Sequence, residues 1–180
     1  MKNASAEEEQ ERPNEETVSE ALLTKQGAPL VEVVIEISRG SFIKRGFTSH
    51  IDFVSPIPCP FNYGSIPAYI GLEGDLLDAV VLRPRLKRGT RVEVKAWGAI
   101  GMTDRGMYDD KLICSDYPLS TGQRRLVLGF FHFYAWAKGI INFARGQHGE
   151  NKCEGWVAPA AAIQRATPRR PDWRGSAIRF

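Results

Sequence analysis

The stretch Val31-Glu32-Val33-Val34-Ile35-Glu36-Ile37 decides the class of fold. Val31, Val33, Ile35 and Ile37 fall on one side of an extended chain, and Glu32, Val34 and Glu36 on the other. That period of two marks a half-buried strand. Further along the chain, strands are expected near residues 49–54, at 79–82 (closed by Pro84) and, after the turn Lys87-Arg88-Gly89-Thr90, over 91–100. Residues 111–115 read as one more. Four prolines in residues 55–67 predict a rigid, non-helical connector. Beyond about residue 118 the period changes: Leu126, Phe130, Phe133, Ala137 and Ile141 recur at helical spacing, so a helix is expected over 124–143 and a short second one over 158–166. Short strands followed by helices predict a small β-barrel of α+β class.

The barrel domain is expected over residues 29–166. Before it lies a Glu-, Gln-, Ser- and Asn-rich segment, residues 1–28, expected to be disordered apart from a short helix near 15–23. After it comes a Pro- and Arg-rich tail, residues 167–180. The formal charge of +3 hides an asymmetry: residues 1–28 sum to −4, so the rest carries +7. A basic body suits either nucleic acid or a polyanionic small molecule. With 43% hydrophobic residues in 180, the chain is not disordered throughout. Three cysteines, Cys59, Cys114 and Cys153, with no C-x-x-C spacing predict reduced thiols rather than a disulfide framework. The N-terminus has no apolar core of a secretory signal. The most apolar run, residues 126–143, contains His132 and Lys138 and reads as a buried helix, not a bilayer helix. A cytoplasmic protein with no membrane partner is expected.

The acids lie outside the strand cores. Glu73-Gly74-Asp75-Leu76-Leu77-Asp78 places three carboxylates in six residues at the start of an apolar strand, and Asp104, Asp109 and Asp110 occupy a second loop. Such acids are either ordinary solvated turn residues or ligands for a hard cation such as Mg²⁺, which takes oxygen donors and substrate phosphates. Paired acid loops would repel a nucleic-acid backbone, so no nucleic acid is expected as a partner.

Five elements stand in a familiar order: the strand Val33 to Ile37, then Lys44; Phe61-Asn62-Tyr63-Gly64; Glu73 through Asp78; Met102-Thr103-Asp104 through Asp109-Asp110-Lys111; and Glu154-Gly155-Trp156. Together they resemble the soluble family I inorganic pyrophosphatases over residues 31–156. The resemblance implies a five-stranded OB-like barrel with packed helices, a carboxylate-lined cavity binding several Mg²⁺ ions, cleavage of a diphosphate, and assembly as a homo-oligomer. It implies metal positions at Glu36, Glu73, Asp75, Asp78, Asp104 and Asp109, with Asp75 as general base for the attacking water. It also implies phosphate contacts from Lys44, Lys111, Tyr63 and Tyr134.

The departures from the family pattern are specific. Glu73 replaces an aspartate, and Gly46 stands where an acid is usual. Ile51 and Ala135 stand where an arginine and a lysine hold phosphate. Cys59 replaces a tyrosine, and Arg105 an acid. The phosphate clamp is thus thinned while the metal and water machinery is kept. Arg105, Arg45 and Lys138 are candidate replacement cations. The smaller residues also leave room for an organic diphosphate, and a binder without efficient turnover is the alternative. His132 is expected on the helix surface or at an interface.

Overall fold

The computed structural model describes residues 27–45, 51–54, 58–144, 146, 149–173 and 175; the side chains at 43–45 and 51–54 are outside the description. The acidic segment before residue 27, Gly46 and the expected helix near 15–23 lie outside the described residues.

The strands are β1 (Leu30–Ile37), β2 (Ile43–Arg45), β3 (Ile51–Val54), β4 (Asn62–Ile70), β5 (Leu76–Val81), β6 (Arg91–Asp104), β7 (Met107–Tyr108), β8 (Lys111–Ser115), β9 (Lys152–Val157) and β10 (Thr167–Pro168); the helices are α1 (Thr121–Ala144) and α2 (Pro159–Arg165). Neighbours run β1–β4–β5–β8–β6, and β6 returns to β1, so five strands close a barrel. Only the β5–β8 pair is parallel in that ring. Closure removes the sheet edges that an open five-stranded sheet would expose. The fold is the OB-like α+β barrel expected from the sequence.

Alternation fills the barrel. Val31, Val33 and Ile35 of β1, Leu77, Ala79 and Val81 of β5, Leu112 and Cys114 of β8, and Val94, Ala96 and Ala99 of β6 form one buried cluster that Ala162 of α2 joins. Residues of opposite parity, among them Val80, Ile100, Met102 and Ile113, meet Val127, Phe131 and Ala135 of α1 in a second cluster. Gly64 is required where β4 crosses β1, because a Cβ there would lie 2.0 Å from the Val34 carbonyl oxygen.

Three expectations are corrected. The connector over 55–67 is in its second half a strand: β4 begins at Asn62 and carries Pro67. The proline is tolerated because the β4–β5 register slips between Ile66 and Ile70, so no ladder bond is asked of it there. Thr167 and Pro168, assigned by sequence to the tail, pair with the end of β4.

The third correction concerns α1. Its start is fixed by a capping box: Ser120 Oγ accepts from the Gln123 amide at 3.2 Å and Gln123 Oε1 from the Ser120 amide at 2.9 Å. The helix is not buried all round. Val127, Phe131, Ala135 and Asn142 face inward, while Leu126, Phe133, Trp136, Ile140 and Phe143 are exposed. Aromatic residues on every side made the inward face ambiguous from spacing. By length and composition α1 would also suffice to cross a membrane; here one of its faces packs on the barrel.

Candidate active site

The site grows from the barrel's cross-strand register. Ser65 of β4 faces Asp78 of β5, and Asp78 faces Lys111 of β8, so three polar side chains share one row across the outer surface. At one end of the row Ser65 Oγ donates to Glu36 Oε1 at 2.7 Å. At the other, Lys111 Nζ lies 2.7 Å from Asp78 Oδ2 and 2.6 Å from Asp109 Oδ1. Tyr63 donates its hydroxyl to the same Asp78 oxygen.

Glu73 reaches in from the β4–β5 turn, which closes with the Gly71 amide on the Asp75 carbonyl at 2.7 Å. One carboxylate oxygen from each of Glu73, Asp78 and Asp109 falls within 4.8 Å of the others. Burial, then the charge of Asp109, push the Glu73 carboxyl up to about 8 despite the lowering pull of Lys111. Burial opposes the charge on Lys111, but Asp109 and Asp78 outweigh it and hold the ammonium well above lysine's ordinary value. Burial and then Asp78 keep the Tyr63 phenol neutral. Among the described side chains the Lys111 ammonium is the cation that faces these three carboxyl groups, and the shift at Glu73 comes first from burial and then from the charge of Asp109. An oxygen-only donor set with surplus negative charge suits a hard divalent cation such as Mg²⁺.

Of the six acids expected to bind metal, the fold gathers Glu73, Asp78 and Asp109. Asp75 stands on the same turn as Glu73 but outside that trio. Glu36 sits across the row on Ser65. Asp104, at the end of β6, is engaged elsewhere: Lys138 Nζ lies 2.6 Å from its Oδ2, Asn142 Nδ2 3.4 Å from its Oδ1, and Arg105 Nε 3.9 Å from the same oxygen. Arg105 thus lies against Asp104, with a left-handed backbone of φ 50°. Tyr134 is half-buried on α1, stacked on Phe130, with Lys138 Nζ 5.8 Å from its ring centroid. Lys44 lies on β2 opposite Phe53, and its side chain is outside the description. Ala135 is buried against the barrel. His132 is exposed on α1, as expected.

Sequence reasoning missed Ser65, Asn142 and the role of Asn62. The buried Asn62 accepts from the amides of Arg39 (3.1 Å) and Leu86 (2.8 Å) and donates to the carbonyls of Val81 (3.3 Å), Arg83 (3.0 Å) and Pro84 (3.0 Å). It ties the strand that carries Tyr63 and Ser65 to the chain leaving β5.

A closed five-stranded barrel carries an acid trio and a buried lysine on its outer face, a carboxylate cluster that could hold a cation on an OB-like scaffold. Residues 33–121 match the family described as inorganic pyrophosphatase. A soluble inorganic pyrophosphatase of Oryza sativa subsp. indica is 35% identical over 103 residues, covering 51% of this chain and 48% of the relative. The inorganic pyrophosphatase structure from Thermus thermophilus superposes with a TM-score of 0.62 at 27% identity, covering 78% of this chain and 88% of that one. The Helicobacter pylori enzyme gives 0.60 at 27%, covering 76% and 88%. The chain is a divergent member of the soluble family I inorganic pyrophosphatases. It spans about half the length of the curated relatives it matches.

Proposed function

We propose that the chain is a hydrolase that cleaves inorganic pyrophosphate into two phosphates with the help of Mg²⁺. The observation that carries this reading is the convergence of Glu73, Asp78 and Asp109 within 4.8 Å beside a buried lysine, in a chain of this family. Mg²⁺ held by that trio supplies Lewis acidity, neutralising diphosphate charge and making water more acidic. The chain's own residues do the rest. Asp75 accepts the proton of the attacking water as its oxygen bonds to phosphorus and the bridging P–O bond breaks. Lys111, Tyr63, Tyr134 and Lys44 hold phosphate oxygens through charge-assisted and neutral hydrogen bonds, and Glu36 lies at the outer margin of the cation site.

The relatives reported above are pyrophosphatases by name, which favours pyrophosphate over an organic diphosphate. A cytoplasmic location is consistent with the buried Cys114 and Cys153 being free thiols. The chain assembles as a homo-oligomer through the exposed stripe of α1. A second reading, binding with weak turnover, is favoured by one observation: Lys138 and Arg105 are both engaged with Asp104 and do not replace the clamp cations missing at Ile51 and Ala135.

The deciding experiment measures phosphate release from pyrophosphate, nucleotides and prenyl diphosphates, with and without Mg²⁺. Release from pyrophosphate that requires Mg²⁺ and disappears in Asp75→Asn is expected. No release from any substrate would leave the weak-turnover reading in its place.

A further inference from the structure

The two acid loops differ in how their charge is balanced. In the trio of Glu73, Asp78 and Asp109, one ammonium among the described side chains, that of Lys111, faces three carboxyl groups. Around Asp104 the ratio is reversed. Asp104 is 5% exposed, and its two carboxylate oxygens are divided between partners: Oδ2 takes Lys138 at 2.6 Å, while Oδ1 takes Asn142 at 3.4 Å and has Arg105 at 3.9 Å. Two cations thus attend one anion. Lys138 and Asn142 are four residues apart on α1, so one face of that helix presents both to Asp104. Asn142 is itself fixed by Asn151 Oδ1 at 3.1 Å.

From this arrangement we infer that Lys138 takes the place of a divalent cation at Asp104, so that Glu73, Asp78 and Asp109 hold the chain's Mg²⁺ without it. The inference rests on the metal-dependent reading proposed above and assigns Lys138 a positioning role rather than contact with substrate. A divalent cation approaching Asp104 would have to displace a part-buried, charge-assisted bond and would meet the guanidinium of Arg105 on the other oxygen. An ammonium in that place is covalently attached and cannot be titrated away by a chelator, so the Asp104 side of the site stays neutralised when Mg²⁺ is scarce.

The test is Mg²⁺ binding by titration calorimetry, independent of turnover. Wild type and Asp104→Asn are expected to bind the same number of ions with affinities within about threefold. Lys138→Gln, which keeps a hydrogen-bond donor but loses the charge, is expected to bind one further ion per chain. That ion should vanish in Lys138→Gln/Asp104→Asn and be absent in Lys138→Arg. An Mn²⁺ anomalous difference map of the unmodified protein should place density at the trio and none in coordination range of Asp104, a result independent of how the variants fold. Loss of an ion in Asp104→Asn, or Mn²⁺ on Asp104 in the unmodified protein, overturns the inference while leaving the metal-dependent reading intact. Absence of all Mg²⁺ binding in wild type sinks both.

Discussion

Lys111 Nζ and Asp78 Oδ2 lie 2.7 Å apart because β8 and β5 run parallel and set the two residues opposite one another. The pair is an outcome of register, and the Lys111 side chain, 2% exposed, touches both Asp78 and Asp109 of the trio. Removing one partner of a buried ion pair strands the other charge, at a cost of about 3–5 kcal/mol. Lys111→Met is therefore expected to unfold at a markedly lower temperature in EDTA. Mg²⁺ should raise its melting temperature more than that of wild type, since the ion then supplies the missing positive charge. Calorimetric melting with and without Mg²⁺ checks this; equal melting in EDTA would show that the ammonium does not hold the acids together.

The raised Glu73 carboxyl has a definite sign in a stability profile. Because its folded value, about 8, exceeds its unfolded one, the folded state binds the extra proton, and Asp109, Asp78 and Lys111 are the charges that face it. The associated stability is fully present below the ordinary carboxylate range and is lost as pH rises towards about 8. Melting in EDTA across pH 5–9 should show wild type losing stability with rising pH and Glu73→Gln following a flatter course. A wild-type profile no steeper than that of the variant would place the Glu73 carboxyl in the ordinary range.

The sequence made legible what depends on residue type and period. The alternation of Val31 to Ile37 gave β1, the apolar run at 79–82 located β5, and Lys111–Ser115 was read at its true bounds. The acids at 73–78 and 104–109 marked the site because three carboxylates fall within six residues at 73–78 and a second set follows in the next acidic loop. What escaped depends on contacts far apart in the chain. Pro67 argued against a strand, and only the slipped β4–β5 register makes room for it. The engagement of Asp104 by Lys138 spans 34 residues, a pairing no local spacing encodes. Ser65 looks like any surface serine until register places it between Glu36 and Asp78.

Asn62 should matter out of proportion to its size. Its side chain satisfies two backbone amides and three carbonyls from otherwise separate segments, and a buried group left without a partner costs about 1–3 kcal/mol. Asn62→Ala is expected to lose about 3 kcal/mol or more in urea unfolding, counting two stranded amides. Asn62→Asp keeps the acceptor but loses the donors and buries a charge, so it should be no more stable than the alanine variant. A loss below about 1 kcal/mol in either would mean that water replaces the side chain at no great cost.

The outer face of α1 carries an apolar seam. Leu126, Phe133 and Ile140 recur every seven residues, with Trp136 and Phe143 interleaved at steps of three and four, and their exposures run from 43% to 77%. Phe133 and Trp136 already pair with ring centroids 5.8 Å apart. That spacing keeps one stripe of a helix facing a partner helix, and a second copy of the chain offers the same stripe, so the contact is self-complementary. The protein is expected to run as a homo-oligomer in size-exclusion chromatography with light scattering at micromolar concentration. Phe133→Glu/Trp136→Glu, placed outside the acid trio and on the far side of α1 from Val127 and Phe131, should shift it to monomer while leaving the melting temperature of the barrel near that of the dissociated wild type. A monomeric wild type would exclude the seam as an interface between copies.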